Sequence, residues 1–487
     1  MPGGLWAADR RALTAGLILT VTFVAAEALA VVTVMPLVAR DLGGLQLYGW
    51  AFSAFMLGTI VGIVAAGRAA DARGPLLPYL GGLVLFAAGL TVAGLAPAML
   101  VLVLGRVLQG IGAGAIPAVA YVAIGRSLPT ALRARMMALM STAWVAPGLV
   151  GPAVSAAVAH AFGWRWVFLG LLPFVAMTGS FAIPALARLG PPAQRAGGGQ
   201  RLTDGVAVAA ALGVLLAGLT LATRPGHALA GAGLAAAGAA AALPLLRRLL
   251  PPGALLARPG LPATVLLRGL LTFGFFGADA YVTLTITTVR HHGTLLAGVA
   301  VTGSTLAWTA GAWIQARLAA RWEGRRLIRL GLAGILAGMA GMVLVLHPAV
   351  PAAGAVAAWS LAGLGMGLAY APITLLTLRE APPGREGWAT ASLNVADVLG
   401  SALGIGIGGA AVAAATGGAL ADGVTIAFAI AAAGAVAALA VTGRLPSGPT
   451  AAPAGPIAAT PAAAGAGPAG APDDPSAPRA AAARAGG

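Results

Sequence analysis

Charged residues are scarce in this sequence. They make up 9% of its 487 residues, whereas hydrophobic residues make up 59%. A soluble domain carries about 25% charged residues, so this chain has too few to cover itself with a surface suited to water. The composition excludes an ordinary soluble protein and predicts a chain surrounded mostly by lipid.

Cysteine and lysine are both absent. The lack of cysteine excludes disulfide bonds and thiolate metal sites. The five histidines lie between the long apolar runs or at the end of one, and no other metal-binding residues cluster with them, so we expect no bound metal. The sequence also contains no nucleotide-binding glycine loop. We therefore expect no cofactor and a driving force supplied by an ion gradient.

All 29 basic residues are arginines, and the net charge is +16. A charge of this size can indicate a nucleic-acid partner. Here the arginines lie in short segments between apolar runs, and no series of base-stacking aromatic residues accompanies them. We therefore expect no nucleic-acid partner and interpret the arginines as loop residues of a membrane protein.

Long apolar runs fill most of the chain. A helix needs about 20 apolar residues to cross a bilayer, and fourteen runs approach this length. Six come first, two Ala-rich and shorter runs follow, and six more complete the series. The predicted spans are 13–38, 48–67, 77–95, 98–125, 136–161, 166–186, 205–222, 228–246, 264–289, 295–316, 327–346, 352–376, 389–415 and 424–441.

The arginines divide unevenly between the two sides that this count defines. If the N-terminus is cytoplasmic, the external segments hold only Arg40, Arg165, Arg224 and Arg290, and the other interspan arginines, with Arg268 counted among them, are cytoplasmic. Cytoplasmic enrichment of basic residues is the rule for membrane proteins. The bias supports an even number of spans and predicts that both termini are cytoplasmic.

The order of the spans predicts the domain organisation. We expect a cytoplasmic N-terminus at 1–12, a six-helix bundle at 13–188, and a linker with two extra transmembrane helices at 189–262. A second six-helix bundle follows at 263–445. Residues 446–487 are mainly Pro, Ala and Gly, which cannot bury enough apolar surface to fold, so we expect a disordered cytoplasmic tail.

The two predicted bundles resemble each other. A Gly-x-Gly-x-Gly series followed by a proline occurs in the fourth span and again in the twelfth, and both second spans of the bundles are followed by Arg-rich segments, 67–74 and 316–326. Close packing of small residues alone could explain the glycines. Agreement at both positions favours two repeated halves that face each other across a transport site. The glycines are Gly110, Gly112 and Gly114, and then Gly363, Gly365 and Gly367.

Three motifs give the chain a family resemblance. The predicted loop after span two has the form Gly-x-x-x-Asp-x-x-Gly, span four contains Arg-x-x-Gln-Gly, and span five contains Gly-x-x-Gly-Pro. These motifs resemble those of the major facilitator superfamily, and the match to its fourteen-helix drug:proton antiporter branch runs over nearly all of residues 13–445. Their residues are Gly67, Asp71, Arg73 and Gly74; Arg106, Gln109 and Gly110; and Gly148, Gly151 and Pro152.

The resemblance implies a fold and a function. The fold would be an all-α membrane protein with two six-helix bundles and two additional helices, 14 spans in all. The implied function is proton-coupled antiport that exports small amphipathic or drug-like molecules. The expected partners are a small-molecule substrate, protons and the lipid bilayer, with a monomer in the cell membrane. In this family the bend at Pro152 is thought to seal the cavity against proton leak, although a proline also bends a helix for packing alone.

Few ionisable residues lie within the predicted spans. A charge at the bilayer centre costs roughly 2.5–3.5 kcal/mol on insertion scales, so such a residue needs a partner, a polar cavity or a neutral form. Glu27 in span one is our first candidate for proton binding, in competition with substrate. Arg106 shares a helix face with Gln109 and would gate proton release or tie helices together.

The second bundle holds two further carboxylates. Asp279, followed by Tyr281 in span nine, is a second candidate for proton or substrate binding. Asp397 shares a face with Asn394 in span thirteen and would either line the substrate cavity with Gln109 and Tyr281 or form a local Asn–Asp network. Six aromatic residues could line a cavity for aromatic substrates or only pack: Trp144, Trp308, Trp359, Phe275, Phe276 and Tyr370.

Other functions remain as alternatives. A proton-coupled importer and a metabolite or amino-acid exporter are the nearest rivals, and a non-transporting receptor on the same fold belongs to a different class. A membrane enzyme would need clustered nucleophiles, acids or metal ligands, and a channel would need a filter-like repeat or rings of charge. The sequence contains neither pattern, so we expect no enzymatic activity.

Overall fold

The computed structural model describes residues 4–8, 10–143, 145–190, 202–319, 321–382, 385–415 and 420–446. The regular elements of these residues are helices. Eight come first: α1 Arg11–Leu42, α2 Tyr48–Arg73, α3 Leu76–Gly94, α4 Met99–Ser127, α5 Thr130–Thr142, α6 Val145–Phe162, α7 Arg165–Leu169 and α8 Leu172–Ala187. We call these eight helices the N half.

Two helices, α9 Leu202–Ala222 and α10 Ala228–Leu249, lie between the N half and the last six. The last six, which we call the C half, are α11 Leu261–Leu284, α12 Thr294–Leu318, α13 Gly324–Leu346, α14 Gly354–Arg379, α15 Glu386–Ala414 and α16 Leu420–Val441. A π-helical turn, Thr285–Val289, continues α11. The predicted tail at 446–487 lies almost wholly outside the described residues.

Fourteen helical segments among the described residues are long and apolar enough to cross a membrane, which confirms the predicted number of spans. The fifth differs from its prediction of 136–161, because α5 ends at Thr142 and the membrane-length segment begins at Val145. Pro147 lies in the first turn of α6, where its missing N–H has no helical partner to lose. The proline is therefore compatible with a helix that starts afresh at this point.

Contacts between connecting segments show which helix ends lie together. The Trp164 indole, before α7, donates to Asp41 at the end of α1 (2.8 Å). At the other side, Arg126 at the end of α4 donates to the Leu189 carbonyl after α8 (2.7 Å). In each pair, the two residues belong to segments that the predicted alternation of spans places on the same side of the membrane. We call the side where α2 begins the Tyr48 end and the side where α1 begins the Arg11 end.

The two glycine series pack in the same way. A Cβ on Gly110 of α4 would lie 2.0 Å from the Phe55 carbonyl oxygen of α2, and one on Gly363 of α14 would lie 2.1 Å from the Ser304 carbonyl oxygen of α12. Backbones can approach this closely only where no side chain intervenes. The equivalent contacts place α4 against α2 and α14 against α12, so the sequence repeat is also a repeat in helix packing.

The segment from Gly67 to Gly74 is not a loop, contrary to the prediction. Gly67, Asp71 and Arg73 lie in the last two turns of α2, and only Gly74 lies beyond the helix, with φ of +87°. The alanines and arginines of this segment are good helix formers, so the helix continues as far as Arg73 and ends at Gly74, whose positive φ is accessible mainly to glycine. The motif is a helix terminus at the Arg11 end.

The helices α9 and α10 form a hairpin beside the seam between the halves. The Trp50 indole of α2 donates to the Thr220 hydroxyl of α9 (3.1 Å), and Leu216 of α9 packs on Gly406 of α15. In turn, α10 packs closely on α9, where a Cβ on Gly218 would lie 2.3 Å from the Ala235 nitrogen. Among the described elements, α9 therefore contacts both halves.

Candidate functional site

Glu27 and Arg106 form an ion pair in the middle of the N half. The Arg106 Nη1 donates to Glu27 Oε1 and also to Gln109 Oε1 (3.1 Å), and Gln109 Nε2 donates to the same Glu27 oxygen (3.1 Å). All three side chains are buried, with relative exposures of 0%, 2% and 0% for Glu27, Arg106 and Gln109. The sequence predicted each residue, but only the structure joins them.

The rest of the Arg106 guanidinium is also engaged. Its Nε donates to the Ala51 carbonyl of α2 (2.9 Å), and its central carbon lies 4.2 Å from the centroid of the Phe55 ring. Arg106 thus connects α1, α2 and α4. By contrast, Glu27 Oε2 is buried and has no hydrogen-bond partner among the described residues. The pair is neutral overall and leaves one acceptor unused.

Asp279 occupies the corresponding place in the C half. Its Oδ1 accepts a hydrogen bond from the Trp359 indole of α14 (2.7 Å). Trp359 is fully buried and stacks on Phe275, with ring centroids 5.3 Å apart. Within the described part of the chain, no arginine forms an ion pair with Asp279. This carboxylate is therefore held by a neutral donor, whereas Glu27 is held by a cation.

Asp397 is bonded to Tyr370 rather than to Asn394. The Tyr370 hydroxyl of α14 donates to Asp397 Oδ2 (2.7 Å), and the backbone oxygen of Asp397 accepts from Thr272 (2.9 Å). Asn394 is half-buried on the same helix. A local Asn–Asp network was one of two interpretations of the sequence, but the structure links Asp397 to α11 and α14 instead.

Arg268 was wrongly placed among the cytoplasmic loop arginines. It lies inside α11 and is only 1% exposed. Its Nη2 donates to the Tyr370 carbonyl (2.9 Å) and to the Thr374 hydroxyl, and its guanidinium carbon lies 3.5 Å from the Tyr370 ring centroid. The sequence could have shown that Arg268 is a membrane residue, because it falls within the predicted span 264–289. A helix that begins earlier in the chain, at Leu261, takes the residue into the bundle.

Five of the six predicted aromatic residues form one cluster. Phe275 contacts Phe276, Trp308 and Trp359, and Trp308 contacts Tyr370, with centroid distances between 5.3 and 5.6 Å. Phe276, Trp308 and Tyr370 are half-buried. Trp144 lies outside the described residues. Through Trp359 and Tyr370, this aromatic cluster connects the carboxylates of Asp279 and Asp397.

The two halves are hydrogen-bonded to each other toward the Tyr48 end. The Tyr48 hydroxyl donates to the Ala280 carbonyl of α11 (3.0 Å), and the Thr283 hydroxyl donates to the Val32 carbonyl of α1 (2.9 Å). Ser53 of α2 donates to the Ala402 carbonyl of α15 (3.1 Å). These bonds join the beginning of α2 and the later part of α1 to the later parts of α11 and α15.

Tyr281 belongs to the same contact region. It is fully buried, its ring centroid lies 5.9 Å from that of Tyr48, and its hydroxyl donates to the Ile405 carbonyl of α15. Gly49 and Gly409 pack closely beside it. The sequence assigned Tyr281 to the substrate cavity, and in this structure Tyr281 lies where the two halves meet toward the Tyr48 end.

The span-five motif faces the opposite half. A Cβ on Gly148 would lie 2.2 Å from Thr305 Cγ2 of α12, and a Cβ on Gly298 of α12 would lie 3.4 Å from the Pro152 carbonyl oxygen. Pro152 is buried within α6, and Gly151 is half-buried beside it. The motif thus provides a smooth helix surface where α6 contacts α12.

Comparisons with known proteins agree with this architecture. A family model described as the Major Facilitator Superfamily matches residues 16–405. A probable multidrug-efflux transporter of Mycobacterium tuberculosis (strain ATCC 25618 / H37Rv) is 29% identical over 417 residues, which cover 82% of this chain and 87% of that protein. The multidrug transporter protein MdtP of Bacillus subtilis (strain 168) is 32% identical over 164 residues, 34% of this chain and 30% of that protein.

Two solved structures share the fold. The xylose transporter XylE from E. coli, in a partially occluded inward-open conformation, matches with a TM-score of 0.59 at 13% identity, covering 88% of this chain and 96% of that one. The POT family transporter PepTSo matches with a TM-score of 0.62 at 13% identity, covering 88% and 98%. The family match covers most of a chain with fourteen membrane-length helices, so this protein belongs to the major facilitator superfamily of membrane transporters.

Proposed function

We propose that this transporter exports small amphipathic or drug-like molecules in exchange for protons, by alternating access. The observation that carries the proposal is that each half holds an ionisable group inside the bundle, the buried Glu27–Arg106 pair in the N half and the half-buried Asp279 in the C half. Charges at this depth are costly, and a function that moves protons through the site explains why they are kept. The names of the relatives favour efflux over uptake.

The contacts between the halves suggest which side of the transporter is closed. Tyr48, Ser53 and Thr283 bond across the two halves toward the Tyr48 end. If the site is reached from one side at a time, it is reached here from the Arg11 end. The concentration of arginine at that end favours a cytoplasmic orientation, with both termini inside the cell and the transporter in the cell membrane.

The substrate would bind beside the aromatic cluster. Asp397 and Asn394 on α15 are half-buried, as are Phe276 and Trp308, and Gln109 lies on the facing half next to the Glu27–Arg106 pair. Aromatic surfaces with a few fixed polar groups are typical of sites for small amphipathic ligands. A weakly specific site of this kind suits a range of drug-like molecules better than one sugar or amino acid.

Two motifs would support the movement of the halves. Asp71 and Gly74 lie where α2 ends, at the Arg11 end, which must close when the Tyr48 end opens. Gly148 and Pro152 lie where α6 contacts α12 and would allow these helices to slide without separating. The protein would function as a monomer, because both halves of the site come from one chain.

Transport by reconstituted protein tests the proposal. Proteoliposomes with an imposed pH gradient are assayed with a panel of fluorescent amphipathic dyes, including ethidium. Movement of a dye against the direction of the proton gradient, abolished by a protonophore, is the expected result. Dye movement in the same direction as protons would favour an importer, and an absence of movement for dyes and metabolites alike would favour a non-transporting role.

A further inference from the structure

The carboxylates of Glu27 and Asp279 are equivalent positions of the internal repeat. Each lies on the first helix of its half, Glu27 near the middle of α1 and Asp279 in the later part of α11. Each accepts a hydrogen bond from the residue four positions before the Gly-x-Gly-x-Gly series of the fourth long helix, Arg106 before Gly110 in α4 and Trp359 before Gly363 in α14. The two glycine series make equivalent backbone contacts. The two donors therefore occupy one structural position.

The donors differ in charge. Arg106 carries a guanidinium that stays protonated, whereas the indole of Trp359 is a neutral donor. If Glu27 bound a proton, Arg106 would remain as a buried cation without a counterion, which is strongly unfavourable. If Asp279 bound a proton, the charge of a half-buried carboxylate would disappear and no cation would be left behind. Proton binding is therefore far less costly at Asp279.

Four other titratable groups on α11 and the helices around it have partners of their own. Glu27 on α1 is paired with Arg106, and Asp397 on α15 accepts from Tyr370. Arg268, on α11 itself, is bonded to α14. Tyr48 on α2 donates to the carbonyl of Ala280, the residue after Asp279. None of these contacts supplies a cation to the Asp279 carboxylate.

We infer that the two equivalent carboxylates have different roles, a structural role in the N half and proton exchange in the C half. Arg106 is the counterion of Glu27, and the pair ties α1 to α4. Trp359 takes the place of that arginine in the C half and, as a positioning residue, orients Asp279 while leaving it free to exchange a proton. This assignment rests on the proposed proton-coupled transport, and it places the exchangeable proton in the C half.

Placing an arginine at position 359, the C-half equivalent of Arg106, is a direct test. Trp359→Arg places a cation beside Asp279 and is expected to hold the carboxylate ionised at every pH. Asp279→Asn removes the titrating group altogether. We expect both variants to lose the dependence of dye transport on the imposed pH gradient and to keep downhill dye exchange at equal pH. The readout is the pH profile of ethidium transport in proteoliposomes.

Matched variants complete the design. Glu27→Gln together with Arg106→Met replaces the N-half pair with neutral residues. Its transport rate is expected to fall, and the transport that remains is expected still to depend on the imposed pH gradient. Trp359→Phe removes the N–H without adding charge, and is expected to retain coupling even if the transport rate falls. If the Trp359→Arg protein fails to fold, Trp359→Phe still shows whether coupling survives without the indole N–H.

Three outcomes would overturn the assignment in distinguishable ways. If Asp279→Asn keeps the wild-type pH profile, the exchangeable proton is elsewhere. If only the neutral N-half pair loses the profile, the roles of the two halves are reversed. If the wild-type protein transports ethidium without any response to a pH gradient, the proposed antiport itself fails, and the assignment fails with it.

Discussion

At the scale of single residues, the central feature is the way buried charges are compensated. Glu27 and Arg106 are 79 positions apart in sequence and neutralise each other inside the N half. A buried ion pair adds little net stability compared with apolar residues of similar volume, but breaking it by removing one partner is costly. The Ala51 carbonyl and the Phe55 ring hold the arginine in place. Its role is therefore as much structural as electrostatic.

A double-mutant cycle measures this pairing. Arg106→Met leaves Glu27 as an unpaired buried charge, and Glu27→Gln leaves Arg106 unpaired, so each single variant should lose about 3–5 kcal/mol of unfolding free energy. The double variant should be more stable than either single variant. Unfolding in mixed micelles, followed by tryptophan fluorescence, gives the three values. Additive losses would mean that the two side chains do not interact in the folded protein.

The sequence was sufficient to predict which residues were unusual but not how they pair. Any ionisable residue in a lipid-spanning run is conspicuous because it costs free energy, and Glu27, Arg106, Asp279 and Asp397 were found on that ground. Partners depend on helix packing, which composition does not determine, so Trp359 and Tyr370 were predicted only as aromatic residues. Arg268 was missed because it was counted with the cytoplasmic arginines, although it falls inside the predicted span 264–289.

At the scale of helices, close backbone contact organises both halves. Within lipid, every backbone group must be hydrogen-bonded inside the protein, so long apolar runs predict long helices. Fourteen membrane-length helices were predicted, and the described residues contain fourteen. Helix ends were less predictable. Good helix formers extended α2 through the expected loop motif as far as Arg73. The packing of α4 and α14 against their neighbours depends on the two Gly-x-Gly-x-Gly series, which were recognised in the sequence.

Adding a methyl group at these glycines should disturb the packing. Gly110→Ala and Gly363→Ala would bring a Cβ to 2.0 and 2.1 Å from carbonyl oxygens of the neighbouring helix. We expect each to destabilise the protein by about 1–3 kcal/mol. Gly125→Ala is the matched control, because it lies on the same helix as Gly110 and its Cβ would meet nothing within 4 Å.

Thermal unfolding in detergent compares these three variants with the wild type. The control is expected to unfold at the wild-type temperature or slightly above it, since alanine favours a helix over glycine. Equal losses in all three variants would show that backbone flexibility, rather than contact between helices, accounts for the glycines.

The extra helix α9 is expected to move with the N half. Its contacts with α2 extend along its length, from Gly205 against Val64 to Thr220 bonded to Trp50, whereas its contact with α15 through Leu216 is confined to the later part of the helix. Opening the Tyr48 end requires α2 and α15 to separate. The longer contact with α2 should then be kept and the contact with α15 lost.

Cross-linking tests this expectation in a protein that has no native cysteine. A Cβ on Gly205 would lie 3.1 Å from Val64 Cβ, so the pair Gly205→Cys and Val64→Cys should cross-link without loss of transport. The pair Leu216→Cys and Gly406→Cys should also cross-link, but transport should stop until a reductant is added. Transport blocked only by the first pair would mean that α9 moves with the C half.

At the scale of the whole molecule, the protein consists of two repeated halves that are bonded toward one end. Tyr48 and Ser53 from the N half and Thr283 from the C half supply bonds that must break for the other state to form. Each is a single hydrogen bond, and a hydrogen bond typically contributes about 0.5–1.5 kcal/mol net. A closure of this strength can be reversed by a modest difference in ligand affinity between the two states.

The most direct test of alternating access measures both ends of the molecule at once. Spin labels at Gln46→Cys and His292→Cys report on the Tyr48 end, and labels at Ala72→Cys and Arg321→Cys report on the Arg11 end, all at exposed positions. Double electron–electron resonance then gives the two distances in lipid nanodiscs at low and high pH, with and without ethidium. The account predicts that conditions which lengthen the distance at the Tyr48 end shorten the distance at the Arg11 end. Distances that lengthen together, or that stay fixed under all four conditions, would contradict it.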